Sequence, residues 1–255
     1  ERLAQLKPRV LVGEFAGAAG TLASLQTGAM ATQAGLCEAL GLGQPVIAWH
    51  TIRDNIAEVG CVLGLIGGTL GKLSTDIKLM MQTEVGEVYE PYHHGRGSSS
   101  TMPQKRNPIS SAYTHGAISV LRQHAAALMD AMVADHERST GPWQIEWIVL
   151  PESFCLLAGA LAQARAVVDG LEVDTQRMRA NLDMTNGLVV SEAVMMGLAP
   201  YIGREYAHDL VYDICREALR ANRPLLELLA EHPQINPHVT REALAKMCDP
   251  ANYLG

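Results

Sequence analysis

Between Thr51 and Gly86 the apolar residues Ile56, Val59, Leu63, Ile66, Leu70, Leu73, Ile77 and Met80 recur at alternating spacings of three and four. That periodicity draws a stripe along one side of an α-helix and sustains a heptad-like seam. A helix running from about 52 to 86 would be roughly 50 Å long at 1.5 Å per residue. One small compact domain cannot cover such a length, so the seam predicts a bundle whose long helices also pack against other copies of the chain. Gly60, Gly64, Gly67, Gly68 and Gly71 fall on the other faces. Each weakens an isolated helix by about 1 kcal/mol. The cost is offset only where a neighbouring helix must approach closely.

The rest of the chain is also helical in pattern. Pro108 suits the first turn of a helix over 108–134, and Leu157, Leu161, Ala164, Val168 and Leu171 form one stripe over 150–171. Val173-Asp174-Thr175 breaks that pattern. Shorter helices follow at about 190–198, 203–221, 223–231 and 240–247, punctuated by Pro200, Gly203, Asn222-Arg223-Pro224 and Pro233. The expected fold class is all-α: a long-helix bundle over 1–172, followed by a small helical C-terminal domain over 173–255.

Composition narrows the function classes. Hydrophobic residues make up 48 % and charged residues 18 % of the chain, values of a globular protein and not of a disordered one. With 20 Lys+Arg against 27 Asp+Glu the net charge is −7, which gives no general attraction to nucleic acid or anionic lipid. No run of about 18 uncharged apolar residues is seen, so no membrane span is expected. Cys37, Cys61, Cys155, Cys215 and Cys248 are odd in number and widely spaced. Reduced thiols in a cytoplasmic protein are the expectation, and neither a disulfide framework nor a metal site is.

One stretch differs from all the others: Gly97-Ser98-Ser99-Ser100-Thr101-Met102-Pro103-Gln104-Lys105-Arg106-Asn107-Pro108. A glycine-led hydroxyl cluster runs into a proline, two cations and an amide, where a helix begins. Backbone N–H groups of such a loop, beside a helix N-terminus, suit an anion. The segment resembles the signature Gly-Ser-Ser-x-Met-Pro-x-Lys-x-Asn-Pro of the fumarase/aspartase superfamily, with Ser98 in place of the usual glycine and Gly97 one residue earlier. That resemblance implies carbon–heteroatom eliminations on carboxylate substrates, without metal or organic cofactor. It implies Ser99 as the base that takes a proton from the carbon next to a carboxylate. A serine hydroxyl is a poor base, so its alkoxide needs stabilisation by the cationic, amide-rich loop. Lys105 and Asn107 match the residues that hold the substrate carboxylate, helped by Ser98, Ser100, Thr101, Met102 and Arg106.

Downstream, Asp135-His136-Glu137-Arg138-Ser139 resembles a segment shared by adenylosuccinate lyases and 3-carboxy-cis,cis-muconate cycloisomerases. The continuation Gly141-Pro142-Trp143-Gln144-Ile145-Glu146-Trp147 and the ending Asp249-Pro250-Ala251-Asn252-Tyr253-Leu254-Gly255 look like the cycloisomerases. Fumarases and adenylosuccinate lyases carry a glutamate shortly after the Asn-Pro of the signature; here Ala112 stands there. Arg138 is expected to bind substrate, with Arg53 a weaker candidate, since arginine suits bidentate carboxylate recognition. Trp143 and Trp147 are expected to pack the start of a helix. Adenylosuccinate lyase and a non-catalytic structural homologue are the alternative readings. The resemblance further implies a homotetramer whose active sites are shared between subunits. Two other conserved regions of the superfamily lie ahead of the stretch that this sequence covers, which suggests a piece of a longer chain.

Overall fold

The computed structural model describes residues 1–92, 101–102 and 104–254. They fold into ten α-helices and two two-residue strands, so the all-α class is what the chain adopts. Two compact units result. The first comprises Glu1–Glu84 and Val88–Glu172, the second Val85–Glu87 and Val173–Gly255.

In the first unit, α1 (Arg2–Val10) and α2 (Ala29–Leu40) lead into α3 (Asp54–Met80). The short strand β1 (Val88–Tyr89) follows, then α4 (Ile109–Asp130) and α5 (Pro142–Asp169), and β2 begins at Glu172. The long helices α3, α4 and α5 pack on one another, with α1 against α3. Glycines set how closely α3 and α4 approach. A Cβ on Gly60 would lie 2.5 Å from Leu128 Cδ1, and one on Gly71 would lie 2.3 Å from Ile118 Cδ1. Glycines therefore stand on α3 where α4 comes closest. Of the heptad seam, Val59, Leu63 and Ile77 are buried and the other five are half-buried.

Helix α3 has 27 residues, shorter than the pattern suggested. Beyond Met80 the chain turns, and the Gln82 N–H donates to the Leu79 carbonyl at 3.2 Å. The Val85 carbonyl accepts from Arg177 Nε and from Asn181 Nδ2, both at 2.9 Å, and Gly86 takes φ +62°. Helix α5 starts earlier than its apolar stripe implied. Pro142 occupies its first turn and the Gly141 N–H donates to Gln144 Oε1 at 2.7 Å, while Pro151 lies inside the helix.

The second unit contains α6 (Thr175–Asp183), α7 (Ser191–Ile202), α8 (Arg204–Ala221), α9 (Leu225–Glu231) and α10 (Arg241–Met247). Leu198, Leu225, Leu229, Ile235 and Leu244 are among the residues of its continuous core. Asp174, read as a break, is the N-cap of α6: its Oδ1 accepts the Arg177 N–H at 2.8 Å. Pro200 lies inside α7, and Gly203, at φ +84°, ends it.

Helices α3 and α5 are long and apolar enough to cross a bilayer by length and mean hydropathy, 1.5 and 1.6 respectively. One face of each is used in the packing just described. The outward residues Leu65, Phe154, Leu161 and Val168 are exposed, as are Met129 and Met132.

Candidate active site

The C-terminal end of α3 and the approach to α4 enclose an open cavity of ≈870 Å³. Lys78, Gln82, Tyr89, Met102, Lys105 and Asn107 are among its lining residues. Two ammonium groups, the Arg106 guanidinium and the amides of Gln82, Gln104 and Asn107 around one cavity suit a ligand with several carboxylates. The Lys105 N–H donates to the Met102 carbonyl at 3.0 Å. Thr101, Met102 and Lys105 are exposed, and Asn107 is half-buried. Ser98, Ser99 and Ser100 lie outside the described residues, as does Pro103. Lys78 was not singled out in the sequence. The only signal for it there is a cation in the last turn of the long helix, just before Gln82-Thr83.

The backbone beside Lys105 and Asn107 is tied down by charge. Arg106 donates through Nη1 to Glu172 Oε2 at 2.7 Å and through Nη2 to Glu172 Oε1 at 2.8 Å. Nη2 also reaches the Glu90 carbonyl at 2.6 Å, and the guanidinium lies 4.8 Å from the centre of the Tyr89 ring. This pairing holds the Glu172 carboxyl below its ordinary value and raises that of Arg106. Glu90 is buried, and its side chain accepts the N–H of Ser110 at 3.0 Å and of Ser111 at 2.7 Å. It thereby satisfies two of the open N–H groups in the first turn of α4 and sits favourably against the helix dipole. Ala112 lies on the exposed side of the same turn.

A second cavity, of ≈300 Å³, lies at the N-terminal end of α3. Glu14, Trp49, His50, Arg138, Ser139 and Trp143 line it, together with Arg53. Arg53 is buried and engaged: Nε donates to Glu146 Oε1 at 2.8 Å, Nη2 to Glu146 Oε2, and Nη1 to the Trp49 carbonyl at 3.0 Å. It is a wall of the cavity and not an open cation. Arg138 is exposed; its Nη1 lies 3.3 Å from the Ala18 carbonyl and its guanidinium 5.9 Å from the centre of the Trp143 ring. The buried Ser139 hydroxyl has no hydrogen-bond partner among the described residues. Glu14 Oε2 accepts from the Trp49 N–H at 3.0 Å, and Oε1 faces His50 Nδ1 at 3.5 Å. Trp143 meets Trp147 edge to face at 5.2 Å, but Trp147 is 59 % exposed and does little to pack the helix start.

The two cavities are separated by the whole of α3. Arg53, at its N-cap, belongs to one, while Lys78, in its last turn, belongs to the other. At 1.5 Å per residue that is about 40 Å. Within one chain, Arg138 and the pair Lys105 and Asn107 are therefore not brought together. Burial raises the Cys215 thiol and pushes that of Cys248 up to about 11, so neither is an activated nucleophile.

Comparison with known proteins agrees with this architecture. The model of the family described as Lyase matches residues 1–121, and that of the adenylosuccinate lyase C-terminus matches residues 187–255. The chain is 55 % identical to trans-aconitate decarboxylase 1 of Mycosarcoma maydis, over all of this chain and 52 % of that protein. It is 50 % identical to 3-carboxy-cis,cis-muconate cycloisomerase of Pseudomonas aeruginosa, over all of this chain and 56 % of that protein. The crystal structure of 3-carboxy-cis,cis-muconate lactonizing enzyme from Pseudomonas putida superposes with a TM-score of 0.89 at 46 % identity, covering all of this chain and 56 % of the other. The chain thus spans about half the length of the curated relatives it matches.

Proposed function

The chain belongs to the fumarase/aspartase superfamily of lyases, and from that premise we propose that it provides part of the active site of a 3-carboxy-cis,cis-muconate cycloisomerase. The reaction is an isomerisation. One substrate carboxylate oxygen bonds to an alkene carbon to close a lactone, and a proton is added at the carbon next to another carboxylate. No co-reactant is consumed. Run backwards, it is a β-elimination: the C–H and C–O bonds break and the alkene re-forms. Ser99 delivers the proton in the closing direction and removes it in the reverse. The intermediate carries extra negative charge on the carboxylate, and fixed donors stabilise it most where that charge develops.

The observation that carries this reading is the cavity at the end of α3, where Lys105 and Asn107 of the signature share a wall with Lys78. A tricarboxylate needs several such donors. Arg138, some 40 Å away along α3 by helix length, serves the same substrate when a second copy of the chain brings its end of the bundle to this one. The exposed apolar faces of α3 and α5 are the surfaces on which copies associate, giving a homotetramer with shared sites.

A second reading has its own support: 55 % identity to a trans-aconitate decarboxylase, whose named substrate is also an unsaturated tricarboxylate. The full gene product should be assayed by loss of the diene absorbance of 3-carboxy-cis,cis-muconate. Trans-aconitate, adenylosuccinate and fumarate should be run alongside, with carbon dioxide release followed for the second. Turnover of the muconate alone is the expected result. Carbon dioxide release from trans-aconitate without muconate turnover would replace the reading, and inactivity on all four would reject it in favour of a structural homologue.

A further inference from the structure

We propose that Arg106 and Glu90 are positioning residues that lock Tyr89–Glu90 to Arg106–Ser111, so that Lys105 and Asn107 are presented to the cavity in one fixed place. This rests on the reading of Lys105 and Asn107 as carboxylate-binding groups. It gives Arg106 a role different from the substrate contact that its place in the signature suggested.

The argument starts from what Arg106 touches. Its planar fork meets both oxygens of Glu172, while Nη2 also reaches the Glu90 carbonyl and the cation lies over Tyr89. A lysine would supply the charge but not the fork, nor the flat face for the ring. Lys105, Arg106 and Asn107 are consecutive and all line the cavity. Anchoring Arg106 to Glu172 and to the Glu90 carbonyl therefore fixes the residue between Lys105 and Asn107 on the cavity wall.

Glu90 completes the lock from within. Its carbonyl holds Arg106 on one side of Asn107, and its carboxylate holds Ser110 and Ser111 on the other. A buried carboxylate is costly unless its oxygens are satisfied, and here two helix N–H groups satisfy them. The same bonds take up the donors that the start of α4 would otherwise offer an anion. Recognition of substrate carboxylates at this end is thereby left to the side chains of Lys78, Lys105 and Asn107. A shift of about 1 Å in such groups can cost about a hundredfold in rate, which is why a lock remote from the chemistry matters.

The test uses Arg106→Gln, Arg106→Lys, Glu172→Gln and Glu90→Ala in the full gene product, each checked by thermal melting. Glu172→Gln is the decisive variant. It loosens the anchor at an exposed residue while leaving the Arg106 charge intact, and it should fold normally. Two readouts are followed: amide hydrogen exchange at Ser110 and Ser111, and kcat and KM for the muconate. Exchange at both serines should rise at least about tenfold in Glu90→Ala. Both Arg106→Gln and Glu172→Gln should lower kcat about tenfold to a hundredfold, and Arg106→Lys should recover little of that loss. Full activity in Arg106→Lys and Glu172→Gln beside a large loss in Arg106→Gln would make Arg106 a direct substrate contact and overturn the proposal. So would unchanged exchange in Glu90→Ala. If the parent protein does not turn over the muconate while exchange rises in Glu90→Ala, the lock stands and the assignment of function falls.

Discussion

At the N-terminal end of α3, Arg53 is 9 % exposed and paired on both oxygens with Glu146, beside a cavity of ≈300 Å³ walled by Trp49 and Trp143. At the other end, Arg106 is partly open to solvent and paired with the half-exposed Glu172, beside a cavity of ≈870 Å³. Both arginines are bidentate, and both lie over an aromatic ring. The first is an internal strut joining the start of α3 to the first turns of α5. The second fixes a piece of chain that carries Lys105 and Asn107, the proposed carboxylate-binding groups. The difference teaches that a cation's place in a conserved-looking motif does not give its task; its partners do. In this reading the cations left for a ligand are Lys78 and Lys105 at one end and Arg138 at the other, and neither set alone matches a tricarboxylate.

The comparison can be broken or sharpened by substitution. The largest effect is expected from Ser99→Ala, which should lower kcat about a thousandfold in steady-state assays, with thermal melting unchanged. Activity retained in that variant would remove the signature end from the chemistry. Next comes Glu146→Leu. Leaving Arg53 buried and unpaired should cost about 3–5 kcal/mol in urea unfolding, and adding Arg53→Met should recover most of it. A loss below about 1 kcal/mol would place that strut with ordinary surface pairs.

Smaller is Gly60→Val, whose Cβ would press on Leu128 Cδ1 at 2.5 Å and on the Ala125 backbone at 3.5 Å. It should destabilise by about 1–3 kcal/mol, read by the same unfolding assay. The smallest effect concerns the Arg106–Glu172 pair. Glu172 is held below its ordinary value by Arg106. Its contribution is therefore present above the unfolded carboxylate pKa, about 4.3, and is lost as pH falls through the lower folded value. Because Glu172 is half-exposed, solvent screening keeps this below about 1 kcal/mol. A pH series of melting curves with and without Glu172→Gln would detect it, and a difference that grows toward acid pH would contradict the sign.

Much of this architecture could be read from the residues themselves. The three–four spacing marks α3, and its glycines foretell the close approach of α4 that Gly60, Gly67 and Gly71 make. What escaped reading has a common physical origin in partners far apart in the chain. Arg177 and Asn181 hold the Val85 carbonyl from 92 and 96 residues away. The apolar stripe from Leu157 to Leu171 marks only the later part of α5, which starts at Pro142 and carries Pro151 inside it. Asp174 looked like an interruption because a cap and a break use the same residue type. Arg106 carries a cation in a substrate-binding motif, and only folding brings Glu172 to it across 66 residues. The separation of Arg138 from Lys105 is invisible until the length of α3 is laid between them.

That separation is the central claim, and under the proposed function it makes a working site depend on two copies of the chain. Its most direct test is subunit complementation with the full gene product. Ser99→Ala protein and Arg138→Glu protein, each inactive alone, are mixed, dissociated and reassociated, and muconate turnover is measured. If the two ends meet across copies, some hybrid sites pair an intact Ser99 with an intact Arg138, and a substantial fraction of activity returns. If activity does not return although the hybrids assemble, both residues act within one chain, and the two-ended site is wrong.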